Sequence, residues 1–280
     1  MNMPTAGKET RTLLLESELA RVELLHASGL SRRRTPPVHS PHYQLLLPLD
    51  GVFNWHLGAS TTLLNANQVL FIVAGDVSQD SHPSNGDAGC LLLTPSVALL
   101  ETLLECDAAQ LAARPMIARR VIAADGRIQR IAASLFVRSR SGLLDAADIE
   151  EMAIHLLSLA LESSVHVRNT PANGDGSKRL VDAVKEFVST CEGRISLNEL
   201  ATRFDVSPAY LTDTFRRNEG MPLGRYHRQL RLARALVELP HAEDITELAL
   251  RLGFSSHAHF SSLFRTAFQQ TPSEYRRSAR

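Results

Sequence analysis

Tryptophan, tyrosine and cysteine are scarce in this 280-residue chain, with one Trp, four Tyr and three Cys. Cys90, Cys106 and Cys191 are widely spaced and odd in number, so neither a disulfide framework nor a Cys-x-x-Cys metal site follows. Reduced thiols in a cytosolic protein are the expectation. No apolar run approaches the ~20 residues that a membrane span needs. Leu13–Leu15 is already followed by Glu16 and Glu18, unlike a secretory leader. A soluble, cytoplasmic chain with no membrane partner is expected. No Gly-rich phosphate loop, nucleophile elbow or carboxylate pair stands out, so no catalytic residue is named, no cofactor is expected and the chain is read as a non-enzyme.

Net charge is also absent, because 30 Lys and Arg balance 30 Asp and Glu. That balance hides an asymmetry. Ser177–Arg280 carries 16 basic against 12 acidic residues, and Met1–Gly176 carries 14 against 18. A mildly basic last third is compatible with an anionic partner such as DNA. The 44% apolar content excludes a mainly disordered chain, and this length suggests two domains.

Three textures follow one another. Tyr43–Leu49, Val52–Leu57, Thr61–Leu64, Gln68–Ala74 and Cys90–Thr94 are short apolar runs. They are separated by turn residues at Asp50-Gly51, Gly58, Asn65–Asn67, Gly75-Asp76 and Asn85–Asp87, which predicts a small sandwich or barrel. Asp50-Gly51 reads as a hairpin, and Glu18–Ala27 as a strand feeding the unit. Leu45, Leu47, Trp55, Val69 and Phe71 either line a pocket or fill it. From Pro95 to Val167 the period becomes helical. Ile128, Ile131, Ala132, Leu135 and Phe136 form one stripe, and Ile149, Met152, Ala153, Leu156 and Ala160 another. A turn containing Gly142 joins them as a helical hairpin. One stripe must cover the strands, while the other is either core or an oligomer contact. Residues 169–176, rich in Gly, Asn and Pro, read as a linker.

Ser177–Arg280 reads as helices throughout, with well-marked starts. Ser196-x-x-Glu199 is a capping box. Ser207-Pro208 is an N-cap followed by Pro at N1. Asp244-x-x-Glu247 and Thr271-x-x-Glu274 are box-like, the second followed by Pro272. The domain is internally duplicated. Leu200-Ala201 recurs as Leu248-Ala249 and Phe204 as Leu252, displaced by 48. Ser207 then recurs as Ser256, Leu211 as Phe260, Phe215-Arg216 as Phe264-Arg265 and Tyr226 as Tyr275, displaced by 49. Each copy has the pattern of a helix-turn-helix, in which inward Leu and Phe bury the corner and the outer face of the second helix stays free for a major groove. The stripe Leu223, Tyr226, Leu230, Ala233, Val237 predicts a long connecting helix over Pro222–Leu239. Arg231 and Arg234 upon it read as solvated or ion-paired. Arg216, Arg217 and Arg265, near the far ends of the second helices, suit phosphates.

Arg194–Arg277 resembles the double helix-turn-helix domain of the AraC/XylS family of bacterial transcriptional regulators. The strongest match is Ile245–Phe254, then Ser255-Ser-His-Ala-His-Phe260, Phe264-Arg265 and Thr271–Arg276. The resemblance implies an α+β chain: a cupin-like small β-barrel or sandwich with a helical hairpin over 1–168, a linker at 169–176, and an all-α DNA-binding domain over 177–280. It implies a sequence-specific regulator that binds double-stranded DNA at a promoter or operator. Control would come through a small-molecule effector or homodimerisation, with RNA polymerase as a further partner. Base-reading positions carried over fall on Ala209, Thr212 and Asp213 in the first unit. In the second they fall on Ser256, His257, Ala258, Ser261 and Ser262. Phosphate contacts fall on Arg216, Arg217 and Arg265. Asp213 and Ala258 stand where the family often has Arg or Gln: Asp213 accepts from cytosine or repels phosphate, so the first unit is expected to read DNA weakly. Gln269 stands where the family has Gly, so the turn there is expected to differ.

The alternative weighed is a cupin-type enzyme fused to a DNA-binding module. His39, His42, His56 and His82 raise it, but the cupin His-x-His followed by Glu is absent. His39-Ser-Pro-His42 has no third ligand, so no metal is expected. An RNA-binding or partner-protein module is a third reading, disfavoured because two groove-spaced helices suit A-form RNA poorly.

Overall fold

The computed structural model describes residues 8–28, 32–82, 87–107, 110, 120–165 and 175–280. The chain divides into two compact units, Met1–Val167 with Ser278–Arg280, and Arg168–Arg277.

The first unit holds ten described strands. They are β1 (Lys8–Glu16), β2 (Ala20–Ser28), β3 (Val38–His39), β4 (Gln44–Asp50), β5 (Phe53–Leu57), β6 (Ser60–Leu64), β7 (Gln68–Ile72), β8 (Val77–Ser81), β9 (Ala88–Pro95) and β10 (Val121–Ala123). A six-stranded sheet runs β1-β2-β9-β4-β7-β10, and a four-stranded sheet runs β3-β8-β5-β6. Among the described residues three helices accompany them, α1 (Val97–Leu104), α2 (Gly126–Arg140) and α3 (Ala146–Val165).

The larger sheet is buried on both faces, which is why its central strands read as unbroken apolar runs. Leu45, Leu47, Leu49, Val69, Phe71, Leu91 and Leu93 pack against the helices in one core. Their neighbours Leu46, Leu70, Ile72 and Cys90 face the smaller sheet and meet Phe53, Trp55 and Leu64. Both helical stripes lie in the first of these cores: Ile128, Ile131, Ala132 and Leu135 from α2, and Ile149, Ala153, Leu156 and Ala160 from α3. The oligomer-contact option for the second stripe is therefore withdrawn. Leu45, Leu47, Trp55, Val69 and Phe71 are each at most 7% exposed and fill the interior. An apolar cavity beside Tyr43, Leu45, Phe71 and Leu157 is too small for more than about one water.

The hairpin expected at Asp50-Gly51 is not formed. β4 pairs with β7 and β9, whereas β5 pairs with β6 and β8, so the chain there crosses from one sheet to the other. Gly51 has φ +76, and a Cβ on it would meet Asp87 O at 2.5 Å, so glycine serves the crossing rather than a hairpin turn. The tight β5–β6 connection runs through Gly58 instead, at φ 57. Of the expected Asn85–Asp87 turn, and of the linker at 169–176, residues 85–86 and 169–174 lie outside the described residues.

The second unit is helical. It comprises α4 (Asp175–Thr190), α5 (Leu197–Arg203), α6 (Pro208–Glu219), α7 (Leu223–Glu238), a 3-10 turn (Leu239–His241), α8 (Ile245–Arg251), α9 (His257–Phe268) and α10 (Pro272–Ser278). No described helix is long and apolar enough to cross a membrane.

Candidate nucleic-acid interface

The sequence duplication is a structural one. In the first helix-turn-helix, Ser196 caps α5 and the capping box is complete: Ser196 Oγ accepts from Glu199 N at 3.2 Å and Glu199 Oε2 accepts from Ser196 N at 2.7 Å. Those bonds hold the Glu199 carboxyl below its ordinary pKa. The corner follows, where Val206 N donates to Ala201 O at 3.0 Å. Ser207 then caps α6, with Pro208 in its first turn. In the second unit Asp244 caps α8 through Thr246 N at 2.6 Å, Phe254 N donates to Ala249 O at 2.9 Å, and Ser256 caps α9 through His259 N at 3.1 Å. Thr271 and Glu274 complete a reciprocal box ahead of α10.

Aromatic packing repeats as well. Phe215 lies 5.2 Å from Tyr226, and its counterpart Phe264 lies 5.9 Å from Tyr275. Phe254, Phe260, Phe264 and Phe268 continue as a chain of contacting rings behind α9. Leu200, Leu211, Phe215, Leu248, Phe260 and Phe264 are all 2% exposed or less, so the inner face of each pair is core.

The connecting helix α7 runs over Leu223–Glu238 with Pro222 as its N-cap. Arg231 and Arg234 are not ion-paired among the described residues and instead bond backbone carbonyls. Arg231 Nη1 donates to Leu252 O at 3.1 Å and Gly253 O at 2.8 Å, with its guanidinium 4.6 Å from the Phe254 ring centre. Burial lowers its pKa to about 10. Arg234 donates to Ser189 O at 2.9 Å and Cys191 O at 3.3 Å. The acceptors are carbonyls at the end of α4 and at the α8–α9 corner rather than carboxylates. His227, buried beside both arginines, is pushed down to about 4 and is neutral at pH 7; burial is the main cause. One helix thus holds the α8–α9 corner and the loop after α4. Below it, Lys185 of α4 makes a 3.0 Å ion pair with Glu219 at the end of α6, with the two side chains 3% and 17% exposed.

The faces left outward hold the predicted contacts. Ala209, Asp213, Arg216 and Arg217 are exposed on α6, and Thr212 is half-buried. On α9, His257, Ala258, Ser262 and Arg265 are exposed, with Ser256 just before it, and Ser261 is half-buried. Thr212 donates its hydroxyl to Pro208 O at 2.8 Å, leaving lone pairs outward. Ser261 Oγ sits 3.4 Å from His257 Nε2, and Ser255 Oγ 2.9 Å from His259 Nδ1. Asp213 and Arg217 form an exposed ion pair one turn apart. Arg216 and Arg265 have no ion pair among the described residues. One exposed residue escaped sequence reasoning: Tyr210, 52% exposed in the first turn of α6. An aromatic outside the apolar stripe was the available signal.

Gln269 does not alter the turn as expected. It adopts the left-handed conformation, φ 60, and its N–H donates to Arg265 O at 2.9 Å, as Gly220 does to Arg216 O at the end of α6.

The N-terminal histidines show no metal geometry. His39 and His42 are exposed, while His56 is buried between Thr61 Oγ1 at 2.9 Å and Ser81 Oγ at 2.8 Å. Burial pulls the pKa of His56 and His82 below the ordinary histidine value. Among the described residues no three His, Cys, Asp or Glu side chains gather as a metal site.

A family profile described as a helix-turn-helix domain matches residues 200–278. The regulatory protein SoxS of Salmonella typhimurium LT2 is 40% identical over 83 residues, which are 29% of this chain and 78% of that protein. The chain belongs to the AraC/XylS family of transcriptional regulators. The transcriptional activator RhaS of Pectobacterium carotovorum is 29% identical over 131 residues, 46% of either chain. The alignment thus spans about half the length of RhaS, and likewise 45% of the Msm operon regulatory protein of Streptococcus mutans. A solved AraC-type regulator of Chromobacterium violaceum is 30% identical, covering 38% of this chain and 96% of that one at a TM-score of 0.35. ToxT of Vibrio cholerae O395 covers 94% of this chain and 100% of its own, at 12% identity and a TM-score of 0.37.

Proposed function

We propose that this AraC/XylS chain regulates transcription by setting α6 and α9 into successive major-groove segments of a promoter or operator. The observation that carries the reading is the repeated corner. Both units turn through the same hydrogen bonds, and both present Ala and Arg at matching outward places, Ala209 with Arg216 and Ala258 with Arg265. The small Ala admits a groove wall, and the Arg at the far end meets a phosphate. Ala209, Thr212, Asp213, Ser256, His257, Ala258, Ser261 and Ser262 form the base-facing set, and Arg216, Arg217 and Arg265 the phosphate set. The sixteen residues of α7 span ~24 Å at ~1.5 Å each, of the order of the ~34 Å turn of B-DNA.

The strand unit, residues 1–168, is read as the effector-sensing or dimerisation domain. Residues 169–176 join it to the DNA-binding domain at 177–280, with Asp175 and Gly176 already in α4. The chain acts in the cytoplasm without catalysis of its own, and RNA polymerase is its partner at the promoter.

Equilibrium binding to duplex DNA and to matched RNA across a salt series tests this. Preference for duplex DNA is expected, with Arg265→Ala reducing the log–log salt slope by ~0.9. Each such contact is worth about 3.5-fold between 50 and 200 mM salt. An unchanged slope removes the phosphate role, and equal affinity for RNA removes the groove reading.

A further inference from the structure

The two reading helices share a frame and differ in content. At the offset of 49, Ala209 matches Ala258, Thr212 matches Ser261 and Arg216 matches Arg265. Four outward pairs do not match: Pro208 with His257, Tyr210 with His259, Asp213 with Ser262, and Arg217 with Thr266. Only α6 therefore carries a carboxylate at the centre of its outward face. The inner face of that helix is Leu211, Thr214 and Phe215, which puts Ala209, Asp213 and Arg216 on the opposite side.

A bare carboxylate there would meet phosphates on both groove walls and weaken every complex. Its partner changes that. Arg217 Nη2 lies 2.5 Å from Asp213 Oδ2, so the pair presents no net charge while one carboxylate oxygen remains for another donor. Thr212 also offers only lone pairs outward, because its proton is committed to Pro208 O. This patch of α6 is thus an acceptor surface. In the major groove the only base donors are the amino groups of cytosine N4 and adenine N6, whereas guanine and thymine show acceptors there.

Resting on the DNA-binding reading above, we propose that Asp213, held by Arg217 as a positioning residue, is a specificity-determining residue that selects an exocyclic amino base, cytosine or adenine, in the duplex segment facing α6. The second helix, with Ser262 and Thr266 in those places, imposes no such requirement. Thr266 commits its proton to Ser262 O at 2.9 Å, as Thr212 does to Pro208 O, but the Ser262 hydroxyl at the place of Asp213 both donates and accepts, and so tolerates either base class.

Binding-site selection from a randomised duplex pool, with the full chain and with Asp213→Asn, Arg217→Ala and the pair Asp213→Ser with Arg217→Thr, tests it. The unsubstituted chain should show one position where C or A exceeds G or T by about fivefold or more, the low end for one base contact. Asp213→Asn should cut any preference for C over G or T to about twofold or less, since an amide also donates to G and T; where A is the selected base, an amide also pairs with adenine N6 and N7, and the double variant is the one that should cut the preference. Arg217→Ala should weaken the preference at that same position and, by baring the carboxylate, also lower affinity for every sequence. The double variant should give the first segment the tolerance of the second, with helix content by circular dichroism unchanged. Uniformly tighter binding by Asp213→Asn, with the preference intact there and in the double variant, would show that Asp213 merely repels phosphate, and would overturn the inference. A chain that selects no duplex at all overturns the DNA-binding reading instead.

Discussion

Replacing Gly253 with Ala isolates the packing that fixes the second corner. Gly253 and Gly220 have nearly the same backbone, φ +78 and +72, but different surroundings. A Cβ at 220 meets nothing within 4 Å, whereas one at 253 would lie 2.2 Å from Arg194 N and 2.7 Å from Gly193 C. Both substitutions carry the left-handed penalty, ~1–2 kcal/mol, partly offset by ~0.4–1 kcal/mol because Ala narrows the unfolded ensemble. Gly220→Ala should therefore cost about 1 kcal/mol. Gly253→Ala adds the displacement of backbone, about 1–3 kcal/mol by analogy with overpacked cores. It also disturbs the carbonyl that Arg231 grips, so a loss of about 2–4 kcal/mol is expected. Urea unfolding followed at 222 nm reports the helices of both units, and fluorescence of the sole tryptophan, Trp55, reports the strand unit alone. The Gly253→Ala loss should appear in the first signal and spare the second. Equal losses for the two variants would refute the packing of this corner on Gly193–Arg194.

Further outcomes follow from the buried charges. His227 is held near pH 4 while an unfolded histidine titrates near 6.5. The unfolded chain therefore binds the proton first, so the stability of the helical unit should fall as pH drops below ~6.5, by about 2 kcal/mol at pH 5. His227→Asn should flatten that limb of a pH series, and an unaltered limb would discharge His227 as its source. Lys185→Met strands the half-buried Glu219 and should cost about 3–5 kcal/mol. Adding Glu219→Leu should restore most of it, so a double-mutant cycle without recovery would count against the pair.

Helix starts in the second unit were legible because caps act within three or four residues: Ser196, Ser207, Ser256 and Thr271 each bond the amide the sequence pattern assigns. Asp244 was half legible, since its carboxylate caps Thr246 as a simple N-cap rather than closing a full box. The central strands of the first unit were visible as apolar runs. The edge strand β1, Lys-Glu-Thr-Arg-Thr at its start, was not, because an edge needs little burial. Polar β8 escaped for the same lack of an apolar run. Strand partners are non-local, so Asp50-Gly51 mimicked a hairpin while linking two sheets. Arg231 and Arg234 misled for a related reason. Their acceptors are carbonyls 21 to 45 residues away in sequence, which no periodicity announces.

The two units reach one geometry with glycine at opposite ends. The first has Asp205 at its corner, φ 51, and Gly220 at the end of its reading helix; the second has Gly253 at its corner and Gln269, φ 60, at that end. Each unit thus carries one non-glycine residue in the left-handed region, at ~1–2 kcal/mol. Gln269 recovers part of this through Nε2 donating to Thr266 O at 3.1 Å. The hydrogen bonds that follow, Val206 to Ala201 and Phe254 to Ala249, are the same in both. The corner hydrogen bond is therefore the same whether Asp205 or Gly253 takes the left-handed position, and glycine is required only at the second corner, where the backbone of Gly193–Arg194 approaches. With the scaffold held constant, what distinguishes the helices to a groove is confined to the outward side chains. The ion pair of Asp213 with Arg217, set against the hydroxyls of Ser262 and Thr266, is the largest of those differences in charge.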